Sequence, residues 1–369
     1  MSVPAASQTQ VRAVVFSGPG QPLEMRPVVS RPPGPGEVRV RIRCCTLCGS
    51  DLHTYQGHRS TPVPTVLGHE ILGEVESLGP GEAVSDHAGA PLAVGDRVTW
   101  SIAASCHACF FCEHDVPQKC EHLFKYGHES LDSETPLSGG LAEHCLLAPG
   151  TTIVKLPEVL PDSVACPVNC ATATVAAAVR LGEVKPGQTV LVLGLGALGL
   201  TAAAMAHAQG AARVIGCDTN PRRLDMARRF GVSDPIDVAG EPGAFEQAVE
   251  QCTAGRGVDV ALELSGAIEA MRAALPLLRI GGRFVLVGSV FKSPDLAVNP
   301  EMVVRRLLTI RGLHNYTPRD LVAAVAFLAE HHAHYPFDEL VEGTWPLEEA
   351  EAAFEHAITA RALRVAVRP

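Results

Sequence analysis

Residues 185–218 read KPGQTVLVLGLGALGLTAAAMAHAQGAARVIGCD, which has the pattern of a strand, a glycine-rich turn, a helix and a second strand. Gly194, Gly196 and Gly199 form a GxGxxG motif at the turn, and Asp218 ends the next strand about twenty residues on. Glycines here allow the turn and let a pyrophosphate approach free amides at the helix start. A simple helix-packing motif is the alternative, but the flanking strands favour a dinucleotide site.

Alternating strand and helix patterns continue after this stretch. We predict helices at 220–230 and 268–278 and strands at 258–263, 282–288 and 308–313. Such alternation is typical of a Rossmann-type, doubly wound parallel sheet, which we assign to residues 169–315. The apolar run at 190–206 is interrupted by glycines and therefore fits a strand, turn and helix better than a membrane span.

Short strands separated by Gly and Pro turns dominate the N-terminal part of the chain. They predict a partly closed β-barrel domain over residues 1–168. In the strand pattern at 38–43, valine and isoleucine alternate with Arg39, Arg41 and Arg43, which are expected on a solvated face. We assign the tail, residues 316–369, back to this domain because its short strands can complete an edge of the barrel.

A mixture of metal-binding side chains occurs at residues 46–74, TLCGSDLHTYQGHRSTPVPTVLGHEILGE. Cys48 and His69 lie within it, and Cys170 downstream can supply a third ligand. Catalytic zinc sites commonly use three such ligands and leave the fourth position open. Asp51 and Glu70 are expected beside the metal as supporting or exchangeable groups. The alternative is that these are buried thiols and a core histidine.

Four cysteines in one polar loop form the most specific pattern in the sequence: Cys106, Cys109, Cys112 and Cys120. Four thiolates close a tetrahedral shell without room for water, so we expect a structural zinc in a lobe at about residues 104–122. Metal binding would supply most of the folding free energy of such a loop. An iron–sulfur cluster is the main alternative. The nearby histidines are expected to be solvated rather than ligands: His107, His114 and His122.

Composition excludes several classes of function. The chain has 369 residues and a net charge of −10, and no run of Lys and Arg stands out. Nucleic acid and anionic membrane are therefore not expected as partners. The first residues lack the pattern of an export signal, so we expect a cytoplasmic protein. Its twelve cysteines then favour metal-binding or catalytic roles over a disulfide framework.

Several motifs occur in the order found in one enzyme family: CGSDLH, GHE, the four-cysteine loop, GDRV, GGLAEH and GLGALG. In this respect the chain resembles the zinc-dependent medium-chain dehydrogenases, which include alcohol, sorbitol and threonine dehydrogenases. The resemblance covers nearly the whole chain and implies a GroES-like catalytic domain beside the Rossmann domain. It also implies a catalytic and a structural zinc, and a homodimer or homotetramer.

The same resemblance assigns roles to residues around the catalytic zinc. It makes Cys48, His69 and Cys170 the ligands, where sorbitol-type members have a glutamate instead of Cys170. Asp51 would orient the histidine ligand, and Glu70 would be the acidic neighbour of the metal. Ser50 would relay the alcohol proton, and His53 would be its terminal base. The implied reaction is hydride transfer from an alcohol to a nicotinamide cofactor.

Asp218 predicts NAD rather than NADP, because a carboxylate can accept hydrogen bonds from the ribose and repels a 2′-phosphate. Arg222 and Arg223 follow it, and Arg223 is expected to touch the ribose at most. Three further residues are expected to complete the cofactor site: Leu198, Val287 and Gly288.

The segments KYGHE, ATATVAAAV and PEMVVRRLLTIRGLHNYTP are similar to alcohol dehydrogenases found with phosphonate-catabolism genes. This likeness suggests an alcohol carrying a phosphonate or a similar anion. Basic residues expected to hold that anion are His58, Arg59, Lys125 and His128. A neutral alcohol or polyol is the alternative substrate. Two other classes remain as alternatives. A zinc-free quinone or enone reductase of the same fold would need no cysteine or histidine ligands, and the intact ligand sets speak against it. A non-catalytic cofactor-binding relative would be expected to lose Ser50, His53 or a zinc ligand, and all are present.

Overall fold

The computed structural model describes residues 9–133, 135–241 and 243–369. Residues 1–8, on which the expectation of no export signal rests, lie outside the described residues. Across the described part, no single helix is both long and apolar enough to cross a membrane. One bent pair of helices, Asp162–Asn169 and Ala171–Leu181, has the necessary length and apolar composition when the two are taken together.

The N-terminal part consists mainly of short strands. The strands are β1 (Thr9–Phe16), β2 (Glu24–Ser30), β3 (Val38–Thr46), β4 (Thr65–Val66), β5 (Glu70–Leu78), β6 (Arg97–Ala104), β7 (Phe124–Lys125), β8 (His144–Leu147) and β9 (Thr151–Lys155). Short helices lie between them at α1 (Gly49–Tyr55), α2 (Phe110–Glu113) and α3 (Asp162–Ala165), with 3-10 turns at Pro117–Lys119 and Cys166–Asn169.

The central part alternates helices with strands. Its helices are α4 (Ala171–Leu181), α5 (Ala197–Ala208), α6 (Pro221–Ala227), α7 (Ala244–Thr253), α8 (Ile268–Ala274) and α9 (Pro300–Arg305), with 3-10 turns at Arg228–Phe230 and Leu275–Leu277. Its strands are β10 (Thr189–Leu193), β11 (Arg213–Asp218), β12 (Asp234–Asp237), β13 (Val258–Glu263), β14 (Leu278–Leu286) and β15 (Thr309–Gly312).

These six strands form one parallel sheet in the order β12-β11-β10-β13-β14-β15. The order reverses between β10 and β13, which is the point where doubly wound sheets bind nucleotides. Strands β10 and β13 are buried along their whole length, because they lie at the centre of the sheet. The predicted doubly wound parallel sheet is confirmed.

The tail returns to the first sheet. It contains α10 (Pro318–His331), β16 (Val341–Pro346), α11 (Ala350–Thr359) and β17 (Arg364–Arg368), with 3-10 turns at Phe337–Leu340 and Leu347–Glu349. Strand β17 pairs antiparallel with β3, and β16 forms the edge of the order β16-β17-β3-β5-β6-β7. Strand β8 also pairs with β3 and β9 with β6, while β1, β2 and β4 form a separate small sheet. This N-terminal fold is the GroES-like domain that the resemblance implied.

The chain divides into two compact units. The first comprises residues up to Ala171, Thr317–Ala329 and Phe337–Pro369, and the second comprises Thr172–Tyr316 and Glu330–Pro336. From the sequence we assigned residues 1–168 and the whole tail, 316–369, to the first domain. In the structure, residues 330–336 of that tail lie with the second unit. Each unit has its own core, centred on Trp100, Ile71 and Phe354 in the first and on Leu191, Ile215 and Phe284 in the second.

Several local expectations were wrong. Arg39 does not face solvent with Arg41 and Arg43: it is buried and pairs with Glu76 at 2.6 Å, since the neighbouring strands cover that part of β3. The helix expected at 268–278 ends at Ala274, and the next strand begins at Leu278 instead of 282. Strands β2 and β12 and helix α7 were not predicted, because each is short or only partly apolar.

Candidate active site

Three metal-binding atoms of the first unit converge. The ligand atoms of Cys48, His69 and Cys170 all lie within 4.8 Å of one another. Cys48 is the residue just before helix α1, His69 directly precedes β5, and Cys170 follows the 3-10 turn Cys166–Asn169. Two thiols and one imidazole at this spacing fit the donor set of a catalytic zinc.

Asp51 connects two of these ligands. One carboxylate oxygen accepts a hydrogen bond from the backbone amide of Cys48 at 2.9 Å. The other accepts one from Nδ1 of His69 at 3.0 Å, which leaves Nε2 of that ring as the metal-facing nitrogen. Asp51 is 2 % exposed, so this orientation is held inside the protein. A carboxylate behind a histidine ligand fixes the ring and raises its basicity.

Asn169 ties the third ligand to the second. Its side-chain amide donates to the backbone carbonyl of His69 at 3.0 Å, and its carbonyl oxygen accepts from the amide of Ile71 at 3.1 Å. Asn169 is fully buried and lies next to Cys170. Sequence reasoning missed it, because an asparagine about a hundred residues from its partners carries no local signal.

Interactions with neighbouring side chains favour the thiolate form of Cys48. The hydrogen bond from Cys170 and the charge of Arg364 lower the pKa of Cys48 well below its usual range, and the same thiol contact raises the pKa of Cys170. Burial alone would lower the pKa of His69, but Asp51 and Cys48 outweigh it and raise the pKa to about 10. These interactions thus favour the thiolate form of Cys48.

Glu70 forms a buried ion pair beside Cys48. Arg364, from strand β17, donates to both Glu70 oxygens at 2.7 and 2.9 Å, and Thr46 donates at 2.7 Å. Arg364 also lies 3.8 Å from the Cys48 sulfur. Burial raises the pKa of Glu70 to about 7, although Arg364 opposes the shift. Sequence reasoning missed Arg364, which lies near the C-terminus and 294 positions from Glu70.

Ser50 and His53 lie on helix α1 beside the ligands. The Ser50 hydroxyl is 3.3 Å from Nε2 of His69, so it faces the metal side of that ring. His53 is half-buried, and its Nδ1 lies 3.4 Å from Nδ1 of His58, which is exposed. Burial, followed by the proximity of His58, lowers the pKa of His53.

The structure brings His128, one of the four predicted substrate residues, close to a ligand. The ring of His128 lies 5.4 Å from that of His69. Lys125 is half-buried, and burial and the charge of Arg59 lower its pKa to about 8, while Cys170 and Cys48 oppose that shift. His58 contacts His53 instead of the ligands.

The four-cysteine loop is compact. The sulfur of Cys109 lies 3.5 Å from that of Cys112 and 3.8 Å from that of Cys120, and Cys120 lies 3.4 Å from Cys106. Backbone hydrogen bonds of Glu121 and Cys112 lower the pKa of Cys109 to about 6. Amides aimed at sulfur favour thiolates, as a cation site requires.

These distances can be compared with the two metal centres that the spacing allows. Zinc–sulfur bonds of about 2.3 Å in a tetrahedron place sulfurs about 3.8 Å apart, close to the spacing found here. An iron–sulfur cluster would spread its thiolates over several irons and hold them further apart. His107 contacts the carbonyl oxygen of Gly150 at 3.2 Å, and His114 contacts that of Phe110 at 2.7 Å. His107, His114 and His122 are exposed, in keeping with solvated residues.

The glycine-rich turn of the second unit has the geometry of a nucleotide site. Gly194 has φ +89°, and a Cβ on Gly199 would lie 1.8 Å from the Gly194 carbonyl oxygen, so helix α5 can approach the strand only without a side chain there. A Cβ on Gly196 would meet nothing within 4 Å, which leaves this residue open to a ligand at the helix start. Leu198 is half-buried in the first turn of α5.

Asp218 ends strand β11 and is already part of a hydrogen-bonded network. Its oxygens accept from the amides of Leu195 at 2.7 Å and Asn220 at 2.8 Å, and Arg223 lies 3.7 Å away. Arg222 is exposed on the first turn of α6, where its amide bonds the Asn220 side chain. Asp218 is therefore anchored at the carboxyl edge of the sheet, next to the glycine-rich turn.

A cavity of about 420 Å³ opens beside this edge of the sheet. Residues that follow three different strands line it, together with the start of α7 and part of α8, and they include Thr219, Asp237, Val238, Phe245 and Ala267. Its volume falls within the range of small-molecule and cofactor sites. Sequence reasoning missed this lining, because its members come from segments that had no assigned structure or no motif.

Comparisons with known proteins agree with this geometry. A family model described as an alcohol dehydrogenase GroES-like domain matches residues 34–158, and one described as a zinc-binding dehydrogenase matches residues 197–330. The 5-exo-hydroxycamphor dehydrogenase of Pseudomonas putida is 31% identical over 328 residues, which cover 88% of this chain and 89% of that protein.

Solved structures with the same fold include an alcohol dehydrogenase from Thermotoga maritima, with a TM-score of 0.92 and 27% identity over 98% of this chain and all of that one. A putative zinc-binding dehydrogenase from Sinorhizobium meliloti 1021, bound to NADP, has a TM-score of 0.85 and 26% identity, covering 98% of this chain and 100% of that chain.

Proposed function

This chain belongs to the zinc-dependent medium-chain alcohol dehydrogenase family, and from this premise we propose that it transfers hydride between an alcohol that bears an anionic group and NAD. The product is an aldehyde or a ketone. The observation that carries the proposal is the convergence of Cys48, His69 and Cys170 within 4.8 Å, beside basic side chains.

Cys48, His69 and Cys170 would hold the catalytic zinc. When bound there, zinc acts as a Lewis acid that lowers the pKa of an alcohol hydroxyl. Asp51 keeps the His69 ring in the required tautomer through its 3.0 Å hydrogen bond. The Glu70–Arg364 pair adds a fixed, buried charge pair next to Cys48. These groups act by orientation and charge rather than by covalent chemistry.

Ser50 would relay the alcohol proton by accepting it and passing its own hydroxyl proton on towards His53, and its 3.3 Å separation from Nε2 of His69 supports this role. His53 would carry the proton towards solvent. Its lowered pKa, caused by burial and by His58, favours the neutral imidazole that a base requires. We retain His53 as the terminal base on this ground.

NAD is the proposed cofactor because Asp218 puts a carboxylate where an adenosine ribose would bind. The NADP complex of the Sinorhizobium relative shows that a protein of this fold can accept the phosphorylated cofactor. Asp218 and the acidic lining of the cavity, which includes Asp237 and Glu241, disfavour a 2′-phosphate here.

Four thiolates of the cysteine loop would hold a second, structural zinc.

Lys125, Arg59 and His128 support an anionic substrate, such as a hydroxyalkyl phosphonate. Lys125 is half-buried, and the positive charge of Arg59 acts on it and lowers its pKa, so two cationic side chains influence each other in a protein of net charge −10. A nearby positive charge disfavours the charged form of a lysine, unless an anion binds between the two cations. A phosphonate has three oxygens and can contact both.

The test compares an anionic alcohol with its uncharged analogue in the native protein and in Lys125→Ala and Arg59→Ala. Each substitution should lower kcat/KM for the anionic alcohol by roughly 1.5 to 3 kcal/mol of transition-state binding, and leave the uncharged one nearly unchanged. Arg43→Ala, at an exposed residue of β3, is the control. Equal kcat/KM for both alcohols in the native protein would favour a neutral alcohol or polyol instead.

A further inference from the structure

A buried carboxylate in the second unit has no part in the reaction described above. Glu263 is the last residue of strand β13 and is fully buried. One of its oxygens accepts three hydrogen bonds: from the amide of Ser265 at 2.7 Å, from the Ser265 hydroxyl at 2.8 Å and from the amide of Gly266 at 2.6 Å. The other accepts one from the amide of Gly288 at 3.1 Å. A single side chain thus joins two separate loops.

The first of these loops, residues 264–266, also contacts the glycine-rich turn. The amide of Leu264 donates to the carbonyl oxygen of Leu193 at 3.0 Å. A Cβ added to Gly194 would lie only 2.8 Å from the Cβ of Ser265, so the turn and the loop are in close contact. Through Ser265, the Glu263 carboxylate fixes the loop on which the first glycine of GxGxxG rests.

The second loop follows strand β14. The backbone carbonyl of Glu263 accepts hydrogen bonds from the amides of Val287 at 3.0 Å and Gly288 at 3.1 Å. A Cβ on Gly288 would lie 2.4 Å from the Gly266 amide nitrogen, so the two loops touch with no room for a side chain. Val287 and Gly288 are residues expected to contact the cofactor. The backbone carbonyl of Glu263 holds both of them, and its carboxylate holds Gly288 in addition.

We infer that Glu263 is a positioning residue for the nicotinamide cofactor, which fixes three cofactor-binding segments relative to one another from beneath. The segments are the glycine-rich turn, residues 264–266 and residues 287–288. All three leave the carboxyl edge of adjacent strands β10, β13 and β14, where parallel sheets bind nucleotides. This inference rests on the proposed function, because it presumes that NAD binds at that edge.

Glutamine at this position gives a specific test. Its side chain has the same length as glutamate but offers one acceptor oxygen and one donor amide. Glu263→Gln can therefore satisfy the donors of Ser265 and Gly266, but it then points an N–H group at the N–H of Gly288. Only the side-chain contact to Gly288 is lost, because the backbone carbonyl of Glu263 still accepts from Val287 and Gly288. The shape of the buried side chain is kept.

Asp259 supplies a matched control on the same strand. It is buried and sits at the opposite end of β13, where it accepts hydrogen bonds from the amide of Thr189 at 2.8 Å and from Arg279 at 2.5 Å. Asp259→Asn also removes a buried carboxylate that holds a backbone amide. It should lower thermal stability without touching a cofactor loop.

The experiment is a fluorescence titration of the native protein and both variants with NADH, followed by steady-state kinetics and thermal unfolding. We expect Glu263→Gln to raise the Kd for NADH and the KM for NAD about tenfold, the loss of one charge-assisted hydrogen bond, with the KM for the alcohol unchanged. Asp259→Asn should leave the Kd for NADH at its native value. If Glu263 had only a structural role, Glu263→Gln would lower Tm but leave the ratio of the KM for NAD to the KM for the alcohol unchanged.

Native affinity for NADH in Glu263→Gln, or equal weakening in Asp259→Asn, would overturn the inference while leaving the proposed function intact. A native protein that does not bind NADH would overturn both. If Glu263→Gln does not fold, Ser265→Ala removes one contact of the same carboxylate and keeps the backbone ones. That variant should weaken NADH binding by about threefold, and native affinity in it would count against the role of Glu263.

Discussion

At the scale of single residues, the acidic and the basic side chains around the candidate metal site of the first unit have different proposed roles. Asp51 and Glu70 lie buried beside the metal-binding atoms, whereas Lys125 and Arg59 add positive charge that no zinc chemistry requires. A half-buried lysine next to an arginine titrates at lower pH than a free one, because both burial and the like charge disfavour its charged form. The state of Lys125 therefore changes within the range in which enzymes are assayed.

The first prediction concerns the pH dependence of this lysine. Its pKa is lowered to about 8, so the side chain is charged below that pH and neutral above it. For an anionic alcohol, kcat/KM should fall as pH rises through about 8, and for an uncharged alcohol it should not show this step. Lys125→Arg keeps its charge at every assay pH and should remove the step. A step of the same size with the uncharged alcohol would assign it to another group.

The second prediction concerns cofactor choice at Asp218. Asp218→Ala removes the carboxylate that would repel a 2′-phosphate, so the ratio of kcat/KM for NAD to that for NADP should fall. The measurement is steady-state kinetics with both cofactors at one alcohol concentration. Asp225→Ala, on the same helix as Arg222, is a suitable control. A native protein that already prefers NADP would contradict the assignment.

At the scale of elements, helix α1 is the part of the first unit that organises the metal site. It starts directly after Cys48 and carries Ser50, Asp51 and His53 on its first turns. The amide of Cys48 and the imidazole of His69 both bond to Asp51, so one helical side chain links two ligands that are distant in sequence. Strand β17 contributes in a similar way, because it places Arg364 against Glu70.

The third prediction tests this linking role. In Asp51→Asn, the amide can still bond one partner but offers only one acceptor oxygen, so either His69 or the Cys48 amide loses its acceptor. Activity should fall by about 10- to 100-fold, as is usual when the group behind a histidine ligand is changed. Zinc affinity, measured by competition with a chelator, should fall as well. Unchanged zinc affinity with lost activity would indicate that Asp51 acts directly in proton transfer.

At the scale of the whole molecule, the described part of the first unit contains two groups of side chains that could hold a metal, and their surroundings differ. One set of ligands comes from Cys48, His69 and Cys170, which three separate segments contribute. The other comes from residues 106–120, within one loop. A loop that gains most of its folding free energy from its metal should unfold when the metal is lost, whereas the first set is held by the surrounding sheet and helices.

The fourth prediction follows from this difference. Elemental analysis of the native enzyme should find about two zinc ions per chain. Cys48→Ser should abolish turnover, keep about one zinc and retain the native fold by circular dichroism, because its neighbours stay packed. Cys109→Ser should lose the other zinc and become sensitive to proteolysis near residues 104–122. A fully active native enzyme with one zinc per chain would contradict the two-site proposal.

The sequence by itself determined the features whose physical cause is local. A GxGxxG turn needs glycines at fixed spacing, and a four-cysteine loop needs its ligands within one segment, so both can be recognised from neighbouring residues. The doubly wound sheet follows from alternating patterns, and it was predicted correctly although strand β12 and helix α7 were missed.

Only the tertiary structure decided the contacts between distant segments. Asn169 and Ile71 are 98 positions apart, and Arg364 and Glu70 are 294 apart. Buried polar groups must find partners wherever the fold brings them, and no local pattern records that choice.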